Sequence, residues 1–173
     1  MNEAGRVGRD REDWVVQVDP RWEPAEPSQE PPSSMILGGW MLEGDIAGPF
    51  QPNPEYRPAG DDSPCDPVDA VVRRVGAGED GVGVADVVSA VGNSMVDVGC
   101  DEHDEPLIGA APDGVACIVV ATAAVYRRAV DVERWNPILG ESLLQVVPPD
   151  VDIMLNPEGP APFRLRAEAR GRR

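Results

Sequence analysis

Residues 76–81 read Gly-Ala-Gly-Glu-Asp-Gly, a G-x-G-x-x-G spacing that in a nucleotide-binding protein brings backbone amides against a pyrophosphate. A helix-like pattern follows, and Asp97 falls at the end of a later strand, where an acid could hold a ribose hydroxyl. Two features oppose that chemistry. Glu79 and Asp80 would place negative charge beside the phosphates. The segment before the loop opens with Asp66-Pro67 and carries Arg73 and Arg74, which reads as a helix and not as the buried strand the motif needs. The loop is therefore read as a helix–helix connector.

Residues 101–105, Asp-Glu-His-Asp-Glu, gather four carboxylates around the single histidine, His103. Neighbours on one turn cannot all converge on an ion, and Pro106 stands where a calcium loop needs its sharp-turn glycine. A solvated hairpin tip is expected. A Ser-His-acid triad would have to use His103, and no G-x-S-x-G is present. Paired-carboxylate chemistry stays open because acids are plentiful, but no two are singled out. Arg164, Arg166, Arg170, Arg172 and Arg173 form a basic end suited to opposing a helix dipole or to meeting an anion. Cys65, Cys100 and Cys117 show no CxxC spacing. Cys117 sits in an apolar strand pattern as a small hydrophobe, and Cys100 could approach it if their strands adjoin. No catalytic residue, cofactor or metal is expected.

These groups sit in a chain of 173 residues, enough for one domain of ordinary size. Asp and Glu number 31 against 15 Lys and Arg, a net charge of −16, which disfavours nucleic acid and anionic membranes and suits a basic partner or simple solubility. No apolar run approaches the roughly 20 residues that span a bilayer, so no membrane insertion is expected. Residues 1–13 mix Arg6, Arg9 and Arg11 with Glu3, Asp10 and Glu12 around no apolar centre. No secretory signal is read there, and a cytoplasmic protein is expected.

The fold class expected is α+β: a compact mixed or antiparallel sheet with packed helices, preceded by a proline-rich, strand-containing arm. Residues 1–12 read as a disordered, charge-mixed tail, residues 13–62 as the arm and residues 63–170 as the α+β domain. In the arm, residues 14–18 and 35–42 are β-prone, and residues 23–34 are too rich in proline and acid to pack. Pro49, Pro52, Pro54 and Pro58 exclude a central strand. In the domain, Asp66-Pro67 starts a helix with Val68, Val71, Val72 and Val75 on one face. A second helix carries Val84, Val87, Val88 and Val91 and ends at Gly92-Asn93. Strands are read at residues 95–99, 106–110, 115–121, 135–139 and 151–155, with residues 115–121 central. Thr122 would cap a short helix carrying Val125 and Tyr126. Further helices are read at residues 141–147 and, as a basic last element, at residues 160–170.

The arm carries Trp14, Trp22, Trp40, Phe50 and Tyr56. These aromatics either dock the arm onto the domain or form a recognition surface for a protein partner, and they are the candidate partner-binding residues. Short turn-rich motifs punctuate the chain at Val18-Asp19-Pro20-Arg21-Trp22, Gly38-Gly39-Trp40, residues 53–58, Asp66-Pro67-Val68-Asp69-Ala70, residues 111–114, Ala121-Thr122 and residues 156–160.

In the order and spacing of those motifs the chain resembles the SseB family, and more closely the actinobacterial type VII secretion system-associated proteins with an SseB-like domain. The resemblance spans most of residues 14–170. It implies a non-enzymatic, cytoplasmic accessory or protein-interaction protein linked with a type VII (ESX-like) secretion locus. A cytoplasmic sensor of an amino acid or nucleotide is the alternative. It is motivated by the Gly76–Gly81 loop and by the serine-sensitivity phenotype behind the family's name.

Overall fold

The computed structural model describes residues 13–111 and 113–170. The tail read at residues 1–12, Pro112, and Arg172 and Arg173 of the basic end lie outside the described residues. The protein is α+β, with two mostly antiparallel sheets.

Sheet A is built from the arm: β1 (Asp13–Val18), β2 (Ile36–Glu43) and β3 (Ile46–Pro52), in the order β1-β2-β3. Gly44, at φ 64°, turns β2 into β3, a conformation glycine adopts without a Cβ penalty. The prolines of residues 46–52 exclude a central strand, and β3 is accordingly a terminal one. Its prolines are tolerated because β3 lies at the sheet's margin, where a missing N–H breaks no central ladder. Residues 23–34 join no strand and are mostly exposed, with a turn from Glu26 to Gln29 and a short 3₁₀ turn, Ser33–Met35, at the end.

The second sheet has the order β7-β4-β6-β8-β9, formed by β4 (Met95–Cys100), β6 (Ala116–Ala121), β7 (Arg134–Leu139), β8 (Asp152–Leu155) and β9 (Phe163–Leu165). A short β5 (Ile108–Ala110) also pairs with β6. β6 and β8 are parallel, and the other pairs are antiparallel. The apolar run of β6 is central, as its unbroken hydrophobicity requires.

The helices α1 (Pro67–Gly76), α2 (Val84–Gly92) and α4 (Gly140–Val146) pack with the sheet around one core. Val68, Val72, Val87, Val91 and Leu143 meet Val96, Val98, Ile118, Val120, Ile153, Leu155 and Leu165 there. Valine is a weak helix former, so this burial, worth roughly 1.5–3 kcal/mol per side chain, holds α1 and α2.

Two expectations are corrected. Residues 160–170 form β9 and one 3₁₀ turn (Ala167–Arg170), not a helix. Pairing with β8 buries Leu165 completely and leaves Arg164 free to reach Asp152, an arrangement a helix would forfeit. Thr122 does not cap α3 (Ala124–Arg127), whose N-cap is Ala123. Its hydroxyl is engaged elsewhere.

A second core joins the two sheets: Leu37 and Phe50 of sheet A meet Tyr56, Cys65, Ala121, Ala123 and Tyr126. The Phe50 N–H donates to Asn93 O at 2.8 Å, and Phe50 bridges Ser94 in parallel. The arm is thus docked by main-chain bonds as well as by rings. Gly38 makes this possible, since a Cβ there would stand 2.3 Å from Gln51 O and 2.5 Å from the Phe50 ring. Gly38→Ala is expected to cost about 2 kcal/mol or more, because the Gln51 carbonyl is backbone and the Phe50 ring is held in the second core. Urea denaturation followed by tryptophan fluorescence checks this, and an unchanged midpoint would contradict it.

Candidate interaction surface

Beneath the sheets lies a network of buried polar groups. Asp66 caps α1: one carboxylate oxygen accepts the Asp69 N–H at 2.9 Å, the other the Thr122 hydroxyl at 2.6 Å. Asn156 accepts the Thr122 N–H at 2.9 Å and donates its amide to Thr122 Oγ1 at 2.9 Å. Asn156 adopts φ 49°, a left-handed turn that asparagine tolerates better than most residues. Asp69 accepts the Tyr126 hydroxyl (2.7 Å), the Cys65 N–H (2.9 Å) and Arg73 Nε (3.1 Å). Across the second core, Asp19 accepts the Tyr56 hydroxyl at 2.8 Å and two Arg21 side-chain bonds at 3.0 and 2.6 Å.

The protonation chemistry of this network is that of bracing. Burial lifts the Asp66 carboxyl to about 6, against the pull of Thr122. Arg21 draws Asp19 down to about 2. Burial pushes the Cys65 thiol to about 11 and raises both Tyr126 and Tyr56, so thiol and phenols stay protonated at neutral pH. A protonated, buried thiol is a poor nucleophile.

The chemistry-bearing candidates are engaged in similar ways. The Gly76–Gly81 loop follows a helix and connects it to α2. Gly78 and Gly81 take positive φ, and Arg74 pairs with Glu79 across the loop. Asp97 faces Arg127 at 3.6 Å. His103 sits on an exposed tip, where Asp101 accepts the N–H groups of His103 and Glu105 and Asp104 pairs with Arg134. Arg164 is shared by Asp113 and Asp152, which raises its pKa further. Arg170 donates to the carbonyls of Val147, Pro148 and Val151. It therefore answers the dipole of α4 and not that of a last helix. All three cysteines are buried and unbridged. Among the described residues no cluster of three or more His, Cys, Asp or Glu is placed to hold a metal.

The five aromatics divide. Phe50 and Tyr56 are buried, so they are corrected from the candidate contact surface to the second core, where burying their rings binds arm to domain. Trp40 is half-buried against the same core and meets the Phe50 ring edge-on at 4.9 Å. Trp22 is partly buried in the loop that Asp19 pins. Trp14 is 41 % exposed, and its neighbours on β1 are open too, Val15 at 48 % and Val16 at 45 %. β1 is a terminal strand of sheet A. Side chains alternate along a strand, so Trp14 and Val16 stand on one face and Val15 on the other. Val15 and Val16 belong to this surface but were read only as strand formers. Their signal was an apolar run free of the lysine or proline that usually guards an edge.

Concavities lie elsewhere among the described residues. An open groove of about 1060 Å³ is lined by Leu144, Val147, Asp152, Arg164 and Arg170 among others, with charges of both signs. A smaller cavity of about 150 Å³ lies beside Cys65, Arg73, Tyr126 and Gly159. Among the described residues no helix is long and apolar enough to cross a membrane. No family model matches the chain, and no curated protein or solved structure is significantly similar to it.

Proposed function

We propose that the chain is a non-enzymatic protein-interaction module whose contact surface is the β1 margin of sheet A. The observation that carries this reading is the contiguous exposure of Trp14, Val15 and Val16 on a terminal strand. Exposed apolar clusters of this kind favour interfaces. The reading is supported by the engagement of Asp66, Asp69, Tyr126 and Arg164 in internal bonds, which makes them braces of the fold. Together with the resemblance to SseB-like, type VII secretion-associated proteins, it makes the protein a cytoplasmic accessory factor for such a system.

The test is recovery of a type VII secretion machine's cytoplasmic components on the immobilised full chain. Trp14→Lys with Val16→Lys is expected to cut recovery at least about tenfold while leaving the melting temperature within a few degrees, since both residues lie on a terminal strand outside either core. Equal recovery by the double variant would remove β1 as the contact. Substitution is preferable to deleting residues 13–62, because deletion would strip Leu37, Phe50 and Tyr56 from the second core.

The alternative, a small-molecule sensor, is favoured by the cavity of about 150 Å³ beside Arg73 and Tyr126. It is smaller than the roughly 300 Å³ at which drug-sized pockets begin, which suits a small amino acid better than a nucleotide. Thermal-shift measurements with millimolar amino acids decide this, and no shift across the set would count against it.

A further inference from the structure

The exposed strand offers more than side chains. In an antiparallel pair the main-chain groups of successive residues point alternately toward and away from the partner strand. The Val15 carbonyl faces β2, since it lies 2.7 Å from where a Gly39 Cβ would stand. The N–H and C=O groups of Trp14 and Val16 therefore face the open side of sheet A. Natural edges are commonly blunted by lysine, proline, a bulge or a covering element. Residues 14–18 hold no lysine or proline, and the β1–β2 register shifts only between Gln17 and Val18. Among the described residues the stretch around Trp14, Val15 and Val16 is regular, apolar and unguarded.

The surroundings select what can pair with it. Residues 13–62 carry ten carboxylates against two arginines, and one of these, Arg21, is bound to Asp19. The register Asp13↔Leu42 brings the β2–β3 turn, with exposed Glu43 and Asp45, next to the start of β1. The loop leaving the other end carries exposed Glu23, Glu26 and Glu30. Among the described residues acid thus flanks the apolar edge at both ends, while residues 6–12 just before β1 mix three arginines with Asp10 and Glu12. A nucleic acid or anionic membrane would be repelled, and a second copy would bring the same acidic flanks.

We propose that β1 accepts an extended segment of a partner protein as a fourth strand of sheet A, apolar in its middle and carrying lysine or arginine at both ends. This rests on the reading of the β1 margin as the contact surface and adds the mode and the partner's chemistry. The added strand bonds through its backbone to Trp14 and Val16. Its side chains lie against Trp14 and Val16 on one face and Val15 on the other, and its basic ends meet the acidic flanks.

The probe is a short peptide of alternating valine and threonine with two lysines at each end, titrated calorimetrically into the full chain. It is compared with a glutamate-flanked version and a version with a central proline. The lysine-flanked peptide is expected to bind with a Kd on the order of micromolar, about tenfold or more tighter than either comparison and more weakly in high salt. The Trp14 and Val16 amides should exchange more slowly with solvent once it is bound. Val16→Pro removes only an outward N–H and should abolish binding while the chain stays folded. Should that variant unfold, amide protection in the unsubstituted chain still decides the mode.

Equal binding to Val16→Pro, equal binding of the glutamate-flanked peptide, or no peptide binding at all would overturn the proposal. So would a concentration-dependent dimer that Val16→Pro dissolves, since the occupant would then be a second copy. If the peptides fail while Trp14→Lys with Val16→Lys still abolishes recovery of secretion components, strand addition falls and the interaction module stands.

Discussion

Gly140→Ala is expected to unfold the protein or to lower its stability by about 4 kcal/mol or more, the largest effect of any glycine-to-alanine change among the described residues. Gly140 begins α4 where the chain leaves β7, and its N–H donates to Ser94 O at 2.8 Å. That bond draws its backbone onto the junction of α2 and β4. An added Cβ would lie 1.8 Å from Val91 O and 2.6 Å from Val91 C, atoms of a buried helix end that no side-chain rotation can move. Relief requires α4 to part from α2, exposing Leu143, Val91 and Val87, all of them in the main core. A domain of this size has roughly 5–15 kcal/mol to lose, so the damage is decisive. Gly109→Ala on β5 is the matched control, because a Cβ there meets nothing within 4 Å. Its unfolding free energy from urea titration should stay within about 0.5 kcal/mol of the parent. Similar midpoints for the two variants would refute the close approach.

Asp66 governs the second effect, on pH dependence. Burial raises its carboxyl from 3.8 to about 6 in the folded chain. The folded state therefore holds a proton between about pH 4 and 6 that the unfolded state has released. Stability linked to Asp66 is present at low pH and is lost as pH rises through that window. A tenfold change in proton affinity is worth about 1.4 kcal/mol, so the total is about 3 kcal/mol. Asp66→Asn retains an acceptor for the Asp69 N–H and a donor for Thr122, and it has no charge to bury. The stability of the variant relative to the parent should rise by about 3 kcal/mol between pH 4 and 6.5, as read by denaturant titrations across that range. A difference that stays flat would disprove the linkage. Asp19 works in the opposite sense. Arg21 pulls its carboxyl down to about 2, so its contribution is present above pH 4 and fades as pH falls through 2.

The short turn-rich motifs of the sequence also carry these braces. Asp19 and Arg21 come from the first motif, Tyr56 from the Asn53–Pro58 stretch, Asp66 and Asp69 from the helix start, and Thr122 and Asn156 from the two later turns. Each motif is short because each supplies one or two polar groups to a bond spanning distant parts of the chain. Such motifs mark how the fold is tied together. The surface proposed for partner contact lies outside all of them, on Trp14, Val15 and Val16.

The sequence by itself determined what local physics controls. Valine spacing and the Asp66-Pro67 start defined α1, Gly92-Asn93 ended α2, and the apolar run read at residues 115–121 marked the central strand, observed as Ala116–Ala121. In these places the period, the cap and the breaker lie within one turn or strand of each other, so they can be read in a line. The tertiary structure decided everything that depended on a distant partner. Pairing with β2 made a strand of Ile46–Pro52 despite its prolines, and pairing with β8 turned an apparent basic helix into β9. Long-range bonds took Thr122 from a helix cap to Asp66, and core packing drew Phe50 and Tyr56 inward. Edge status was likewise invisible in the line of residues, because a strand is open only when no other strand arrives beside it. That is why Val15 and Val16 joined Trp14, already a candidate in the sequence, only in three dimensions.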